Sequence, residues 1–392
     1  MKTRKNKSQT ALINGILMSL CCLLSTQSLA ADTDHDFKVA FSVVSNDNVY
    51  KMPDKAISGV SVEAGVGSLL DLSYDFTNEY QTKGDFFIAV DLSSEMYGSD
   101  GDADETVLSF KTGSANGYSL AGDNRIKTKA GVFYDRKDKT YVSRFTGLVP
   151  VSGGQELNDR FSYTQYGVFG NLDYYMGKAT RVSLDIEYKT KDYAEDYVDI
   201  GRTNFDYSQW KIKPMIRHQI NRELRVGFSL PLAFREYDDR SAQDLLGADI
   251  IPSDLEYDYK GLDLSLEYEP ARNLSMEIGY KIQNREDNYE GALDYDRSTI
   301  YLKTEFSPDD VSRIALSYQS RDRDYDHATT GGVKRSVSKD DLVIEYERAI
   351  LRNQVKGLSL RASYEDISMD HDSDFLTYDQ TLVTIGIIWQ PL

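Results

Sequence analysis

Arginine and lysine recur at every second position of several segments in the second half of the chain. Successive side chains of a β-strand point to opposite faces, so residues two apart share a face. Rows of such cations attract anionic solutes, and the planar guanidinium group of arginine pairs with carboxylates and phosphates through two hydrogen bonds. The sequence therefore predicts a basic surface that guides anions. Its candidate residues are Lys211, Lys213, Arg217, Arg225, Arg235, Lys281, Arg285, Arg321, Arg323 and Arg361.

Acidic residues alternate with these cations, which leaves a second interpretation open. Opposite charges on adjacent strands form pairs that stiffen a sheet, and such pairs would neutralise the basic surface. Asp287, Asp322 and Asp324 are sequence neighbours of Arg285, Arg321 and Arg323. The sequence alone does not decide between free and paired arginines at these positions.

The segments that carry these residues alternate between apolar and charged side chains. Ile314, Leu316 and Tyr318 share one face, while Arg313 and Ser317 share the other. Each segment is long enough for a tilted strand that crosses a membrane, which needs about 9 to 11 residues. The predicted strands are 162–175, 180–191, 204–219, 222–236, 257–269, 274–287, 294–306, 312–325, 337–350, 357–368 and 378–390.

The first part of the chain alternates less regularly. Seven further candidate strands bring the total to about 18, and 14 or 16 strands also fit the pattern. We therefore predict an all-β fold, a transmembrane antiparallel up-and-down β-barrel of about 16 to 18 strands, formed by a single domain over residues 31–392. The candidate strands are 37–45, 57–65, 69–80, 84–94, 105–112, 125–134 and 139–148.

One face of each predicted strand is apolar and is expected to meet lipid. The opposite face carries charges of both signs, and burying so many charges in a soluble sandwich would be prohibitive. We therefore expect a lumen that holds water or a polar plug. The predicted lipid-facing residues are Val182, Leu184, Ile186, Leu224, Val226, Phe228, Leu230, Leu232, Leu262, Leu264, Leu266, Met276, Ile278, Tyr280, Leu358, Leu360 and Ala362.

The connections between the strands alternate in length. In bacterial barrels the short turns are periplasmic and the long loops extracellular. The short connections are predicted at 176–180, 220–221, 270–273, 307–311 and 351–356, and the long ones at 192–203, 237–256, 288–293, 326–336 and 369–377.

Residues 1–30 have the features of a signal peptide for Sec-type export. Four basic residues precede an apolar stretch at residues 11–24, and Ser28-Leu29-Ala30 is a small-x-small cleavage site. Cleavage would remove Cys21 and Cys22, which leaves no cysteine for disulfides or thiolate sites. Cleavage also changes the formal charge from −18 to −22, which argues against binding of nucleic acid. The expected location is the outer membrane of a Gram-negative cell.

The C-terminal segment resembles the assembly signal of outer-membrane barrels, a polar-x-Gly-x-x-aromatic pattern. Thr384, Gly386 and Trp389 occupy the three defining positions, although Pro391-Leu392 replaces the usual terminal phenylalanine. The resemblance implies the outer-membrane lipid and the barrel assembly machinery as partners. An ordinary amphipathic strand that ends in tryptophan would give the same pattern.

Residue patterns for catalysis or for cofactors are weak. His327 and His371 each have aspartate neighbours, as in outer-membrane proteases, but sequence neighbours do not establish a catalytic geometry. The acidic stretch at residues 98–105 lacks the glycine and the final acid of a calcium-binding EF-hand loop. We therefore expect no catalytic residues, no metal and no cofactor.

The chain resembles the outer-membrane β-barrel porins found with exopolysaccharide export systems. The resemblance lies in the amphipathic strands that run into outer ends rich in Arg, Asp and Tyr, such as residues 274–291 and 313–327. It implies passage of polar solutes or exported polysaccharide, with an anionic oligo- or polysaccharide as a candidate partner. Two alternatives are a structural or adhesive barrel that binds partners through its Tyr- and Asp-rich loops and a barrel hydrolase.

Overall fold

The computed structural model places most of the chain after residue 32. The described residues are 33–53, 63–80, 84–98, 103–143, 149, 151–152, 155–156, 159, 161–194, 205–330, 333–350, 357–372 and 376–391. Residues 1–30, with the predicted signal peptide, lie outside this part of the chain. Within it, no helix is long and apolar enough to cross a membrane.

Nineteen strands run through the described residues. They are β1 (Thr33–Asn46), β2 (Gly65–Tyr80), β3 (Gly84–Tyr97), β4 (Glu105–Ser119), β5 (Arg125–Lys139), β6 (Val151–Ser152), β7 (Gln155–Glu156), β8 (Tyr163–Met176), β9 (Thr180–Tyr193), β10 (Tyr207–Gln219), β11 (Leu224–Ser229), β12 (Leu232–Tyr237), β13 (Glu256–Ala271), β14 (Leu274–Asp287), β15 (Tyr295–Asp309), β16 (Ser312–Thr330), β17 (Val333–Ala349), β18 (Leu358–His371) and β19 (Tyr378–Trp389).

The sheet closes on itself, because β1 pairs with β2 on one side and with β19 on the other. Each wall strand pairs antiparallel with its neighbours in the chain, and β6 and β7 form a separate small hairpin. Strands β11 and β12 together fill one position of the wall, since both pair with β10 and with β13. The result is a closed barrel with 16 strand positions, which confirms the predicted fold class.

The total of 18 strands that we counted segment by segment is too high. Strand β1 pairs directly with β2, and β5 pairs directly with β8, so no further wall strand fits between them. Of the predicted strand 57–65, residues 57–62 lie outside the described residues, and residue 65 begins β2. Of the predicted strand 139–148, residue 139 ends β5, residues 140–143 form no strand, and residues 144–148 lie outside the described part.

Two prolines explain why one wall strand is divided into β11 and β12. Pro214 on β10 and Pro231 lie at the break, and neither has a backbone N–H to donate to a neighbouring strand. Leu230 N donates to the carbonyl of Pro214 (3.1 Å), and Gly261 N donates to that of Pro231 (2.8 Å). The residue pairing with β10 and β13 keeps the same register on both sides of the break, so the inward and outward faces continue through it.

Within the described residues, the short connections lie at one end of the barrel and the long ones at the other, as predicted. We call these the turn side and the loop side. Residues 195–203 of the predicted loop 192–203 and residues 373–375 of the predicted loop 369–377 lie outside the described part. The predicted loop 326–336 is wrong, because β16 continues to Thr330 and β17 begins at Val333. The pairs Thr329–Lys334 and Thr330–Val333 extend the hairpin into this segment. The predicted turn 351–356 lies outside the described residues.

Large apolar side chains cover the outer face of the barrel. Leu264, Ile278 and Ile385 are 44%, 50% and 58% exposed, at positions where the neighbouring side chains along the strand turn inward. Such a surface is stable only against lipid, because water would leave a continuous apolar belt unburied. The predicted lipid-facing rows lie on this outer face.

Candidate functional site: the loop-side half of the lumen

All ten basic candidate residues occupy strand positions whose side chains face the lumen. On β10, for example, Lys211, Lys213 and Arg217 alternate with the outward Ile212 and Ile216. The structure nevertheless divides the ten into sets with different surroundings. Five are paired with carboxylates, four are not, and Lys281 lies over the ring of Tyr301 at 4.7 Å.

The paired set extends from the middle of the barrel to the turn side. Arg225 and Arg217 both approach Glu267, the latter at 3.8 Å. The other three pairs are Lys211–Glu187 at 2.9 Å, Lys213–Asp263 at 3.0 Å and Arg361–Glu345 at 2.7 Å. For these five residues the interpretation of a wall stiffened by cross-strand ion pairs describes the structure.

The unpaired set consists of Arg235, Arg285, Arg321 and Arg323 towards the loop side. Within the described part of the chain, none of them has a carboxylate oxygen at ion-pair distance. Arg297, which sequence reasoning missed, belongs with them: its inward position on β15 pairs with Arg323 on β16. Five arginines thus share this part of the wall without neutralising acids.

Arginine and tyrosine alternate on five consecutive wall positions here. Arg235 on β12 is followed by Tyr257 and Tyr259 on β13, Arg285 on β14, Tyr295 on β15 and Arg323 on β16. We call these residues, with Arg297 and Arg321, the Arg–Tyr face. In the register of the sheet, Arg235 lies directly across from Tyr257, and Arg285 lies directly across from both Tyr259 and Tyr295. These two guanidinium groups therefore have tyrosine rings beside them.

Tyrosine rings cover the flat faces of the guanidinium groups. Arg285 lies 4.2 Å from the ring centroids of both Tyr257 and Tyr295, and Arg323 lies 4.8 Å from that of Tyr295. Arg235 lies 5.3 Å from Tyr259. These cation–π contacts hold the arginines in place without neutralising their charge. Stacking also leaves the N–H edge of each guanidinium as its hydrogen-bonding surface.

The donors of the Arg–Tyr face are incompletely satisfied. The Nε atoms of Arg235, Arg285, Arg321 and Arg323 are buried, and none has a hydrogen-bond partner among the described residues. Buried polar atoms in proteins almost always have a partner, so each exception calls for an explanation such as an ion or a ligand. The Nε atom of Arg217, in the paired set, also lacks a partner among the described residues, so both sets share this feature.

Strand alternation explains why the neighbouring acids do not neutralise these arginines. Asp322 and Asp324 occupy the outward parity of β16 and accept hydrogen bonds from Ser338 and Ser336 of β17. Asp287 instead accepts hydrogen bonds from the backbone N–H groups of Tyr289 and Gly291 in the following loop. Asp322 and Asp324 therefore lie on the opposite face from the arginines, whereas Asp287 lies on the same face as Arg285 without an ion pair to it among the described residues.

The loop between β14 and β15 supports the Arg–Tyr face from the rim. Arg285 donates to the carbonyl of Leu293, and the backbone N–H of Asp287 donates to the Asp294 carboxylate at 2.6 Å. Burial raises the pKa of the Asp294 carboxyl above its usual value, and the charges of Asp287 and Asp326 add to this shift. The rim thereby fixes the ends of β14 and β15.

A second basic row on β5 was also missed by sequence reasoning. Its residues alternate along residues 125–139 in the pattern that identified the other candidates, but the uncertain strand boundaries of this region obscured it. Lys137 and Lys139 pair with Glu105, and Lys129 lies over the ring of Phe87 at 4.1 Å. Arg125 lies over the ring of Tyr175 at 4.1 Å.

The remaining candidates have other surroundings. Nε2 of His371 accepts a hydrogen bond from Arg335 Nε (3.2 Å), so this nitrogen is already engaged at the end of β18. In the acidic segment, Asp104 accepts a hydrogen bond from Tyr97 N (2.8 Å), and Glu105 pairs with the β5 lysines. The described residues contain no cluster of three or more His, Cys, Asp or Glu that could hold a metal ion.

The C-terminal motif lies at the seam that closes the barrel. Gly386 pairs with Ser42 of β1, and a Cβ atom at this position would come within 2.0 Å of the Ser42 hydroxyl. A packing requirement thus accounts for the glycine. Trp389 faces outward and contacts Phe37 edge to face, with ring centroids 6.2 Å apart. An assembly role for Thr384, Gly386 and Trp389 stays a prediction.

Comparison with known proteins gives structural likeness only. No family model matches the chain, and neither does any curated protein. Among solved structures, a BenF-like porin from Pseudomonas fluorescens gives a TM-score of 0.47 at 11% identity, covering 93% of this chain and 100% of that one. OccAB3 of Acinetobacter baumannii gives a TM-score of 0.46 at 12% sequence identity, and the match covers 91% of this chain and 99% of that one. An anion-selective porin from Comamonas acidovorans gives a TM-score of 0.44 at 13% identity, and the match covers 92% of this chain and 99% of that one. Residue roles are not transferable at this level.

Proposed function

We propose that this barrel is an outer-membrane porin that lets polar solutes pass through a water-filled lumen and favours anions. The single observation that carries the proposal is the Arg–Tyr face, where five arginines on one stretch of the inner wall have no ion-pair partner among the described residues. Rings of basic side chains make a pore favour anions, and low-dielectric walls strengthen their field. The apolar belt supports a location in a membrane, and bacterial barrels of this design reside in the outer membrane of Gram-negative cells.

The chemistry of the Arg–Tyr face also indicates the kind of anion that fits it. Guanidinium edges bind carboxylates and phosphates through paired hydrogen bonds, while tyrosine offers both an apolar ring and a hydroxyl group. Arginines on β12, β14 and β16 are two strands apart, which corresponds to roughly 10 Å along the wall. An acidic oligo- or polysaccharide, with carboxylates separated by sugar rings, matches this alternation of charge and ring. Small organic anions match a single arginine of the row.

The test measures ion conductance and selectivity. Purified barrel in a planar bilayer with a potassium chloride gradient should conduct, and the reversal potential should show a larger permeability for chloride than for potassium. Addition of an oligomer of a uronic acid on the loop side should reduce the chloride current, whereas a neutral oligosaccharide of the same length should reduce it far less. Absence of conductance in folded protein, or selectivity for potassium, would contradict the proposal.

A second candidate function rests on the loop that joins β12 to β13. Leu246 and Ile251 at its surface are 95% and 82% exposed, unusual values for large apolar side chains outside the lipid belt. A structural or adhesive barrel would use such side chains to bind a partner. The same bilayer experiment separates the two, since an adhesive barrel with a closed lumen would not conduct.

A further inference from the structure

A row of arginines with one tyrosine crosses the inner wall at the turn side, on other strands than the Arg–Tyr face. Arg125 of β5 lies directly across from Tyr175 of β8, which lies directly across from Arg181 of β9. Arg181 in turn lies across from Arg217 of β10. Residues directly across from one another share a face of the sheet, so all four face the lumen, as Arg217 does. Four adjacent wall strands thus present three arginines in a single row.

The ring of Tyr175 lies beside two of these arginines, which have different surroundings. The guanidinium group of Arg125 lies 4.1 Å from the ring centroid, and that of Arg181 lies 5.7 Å from it. Arg181 is neutralised, because it donates hydrogen bonds of 2.8 to 2.9 Å to the carboxylate of Asp173. Contact with the ring covers the flat face of the Arg125 guanidinium and leaves its N–H edge as the hydrogen-bonding surface.

The row borders a cavity at the turn-side mouth of the lumen. The cavity has a volume of about 460 Å³, within the range of roughly 300 to 1,000 Å³ that is usual for small-molecule sites. One acid, Asp123, lines the cavity together with five basic side chains. The basic residues are Arg125, Lys178, Arg181, Arg217 and Arg225. The lining therefore favours an anion over a cation.

Four of the five basic side chains have a carboxylate within ion-pair distance. The pairs are Lys178–Asp123 at 3.9 Å, Arg181–Asp173 at 2.8 Å, Arg217–Glu267 at 3.8 Å, and Arg225 with both Glu267 and Glu269. Arg125 is the exception, since it has no ion pair within the described part of the chain. Its charge is therefore available to an anion in the cavity.

Hydrogen bonds between neighbouring connections fix the rim of this cavity. Oδ1 of Asn124, in the turn between β4 and β5, accepts a hydrogen bond from the backbone N–H of Gly177 in the turn between β8 and β9 (2.8 Å). The backbone N–H of Gln219, at the end of β10, donates to the carbonyl of Ala179 (2.7 Å). The rim is thereby preorganised, so an anion does not have to order it on binding.

We propose that the turn-side mouth contains a second anion-binding site, in which Arg125 donates hydrogen bonds to a small oxyanion, a phosphate or a carboxylate. The N–H edge of a guanidinium group matches the oxygens of these two groups. The site does not require a conducting barrel, but its role in holding anions that enter or leave at the turn side rests on the proposed porin function. An anion that crosses the barrel then meets the Arg–Tyr face near one end and Arg125 at the other.

Binding can be measured at the cavity itself with 3-fluorotyrosine in place of Tyr175, because this ring contacts Arg125 and lies away from the Arg–Tyr face. In purified barrel in a phosphate-free detergent, inorganic phosphate should shift the fluorine resonance with saturation, and chloride at the same ionic strength should not. Arg125→Gln should weaken the apparent affinity by about tenfold, the effect of losing one hydrogen bond to a charged group.

The matched control is Arg136→Gln on the same strand. Arg136 occupies an outward-facing position of β5 and bonds to Asp138, so its loss removes the same charge without touching the cavity. The affinity for phosphate should stay unchanged in this variant. Arg125 is exposed and has no ion pair among the described residues, so Arg125→Gln should fold with a melting temperature close to that of the wild type.

Failure of the site and failure of the porin function give different results. The absence of a saturable shift in the wild type, or equal affinities in the wild type and Arg125→Gln, would overturn the site. A resonance already shifted in phosphatidylglycerol nanodiscs and insensitive to added phosphate would assign Arg125 to lipid headgroups and would also overturn it. A barrel that binds phosphate at this cavity but does not conduct in a planar bilayer would contradict the porin function and leave the site standing.

Discussion

Two regions of the inner wall arrange similar residues in opposite ways. On β5, Lys137 and Lys139 pair with Glu105 at the loop side, and Arg125 lies over the ring of Tyr175 at the turn side. Along the wall from β9 to β18 the order is reversed. Towards the turn side, basic residues face acids on adjacent strands, as Arg225 and Arg217 face Glu267 and Arg361 faces Glu345. Towards the loop side, arginines face tyrosines, as Arg285 faces Tyr257 and Tyr295. The first arrangement neutralises charge within the wall, and the second holds the charge and leaves it available to a solute.

The partner across the strand, and not the number of cations, thus decides whether a row of basic residues is neutralised. An ion pair uses the hydrogen-bond donors of an arginine, whereas a stacked ring occupies only its flat face. The paired half is therefore expected to contribute to stability, and the stacked half to selectivity. Substitutions in each half test this division.

The largest expected effect concerns the boundary between lumen and lipid, on which both halves depend. Leu264 faces outward, and Leu264→Arg should lower the free energy of unfolding by about 2 to 4 kcal/mol, as for a cation near the middle of the lipid belt. The adjacent inward variant Ser265→Arg should be tolerated. The measurement is the amount of folded protein in the outer membrane, and equal amounts of the two variants would show the facing to be wrong.

A smaller loss is expected when the paired half loses an acid. Glu267→Ala leaves Arg225 and Arg217 without their shared carboxylate and should lower the free energy of unfolding by about 1 to 3 kcal/mol. Asp324→Ala removes an acid next to the stacked half, but this acid faces outward and bonds only to Ser336 in the described structure. Urea titration in detergent should show a clear loss for the first variant and about 0.5 kcal/mol or less for the second.

The stacking contacts should contribute least to stability. Tyr295 contacts both Arg285 and Arg323, so Tyr295→Leu should lower the free energy of unfolding by roughly 1 kcal/mol, whereas Tyr295→Phe keeps the ring and should change it little. A loss of the same size in both variants would assign the effect to the hydroxyl group and would contradict the stacking interpretation.

Most of the barrel followed from the sequence, because the period-two alternation specifies the facing of each strand without knowledge of its partners. The inward position of all ten basic candidates could be predicted for this reason. The pairing of charges could not, because it depends on the register between strands. Asp322 and Asp324 illustrate this, since they are neighbours of Arg321 and Arg323 in sequence and yet lie on the opposite face of the wall.

The parts that escaped prediction depend on contacts between distant segments. The segment after β1 is held by Gln380, which donates to the carbonyl of Asn48 although the two residues are more than 300 positions apart in the chain. The number of wall strands depends on which strands pair directly, and the apolar segments after β1 and β5 offered additional strands that the closed sheet excludes. The hairpin of β16 and β17 extends through a segment whose polar composition indicates a loop.

The most direct test of the division between the two halves is the reversal potential of two triple variants in planar bilayers. One replaces Arg285, Arg321 and Arg323 of the Arg–Tyr face by glutamine, and the other replaces the paired residues Arg217, Arg225 and Arg361 by glutamine. We predict that the first triple lowers the chloride-to-potassium permeability ratio by severalfold and that the second changes it little while reducing stability. Equal shifts in the two triples, or a larger shift in the second, would contradict the account.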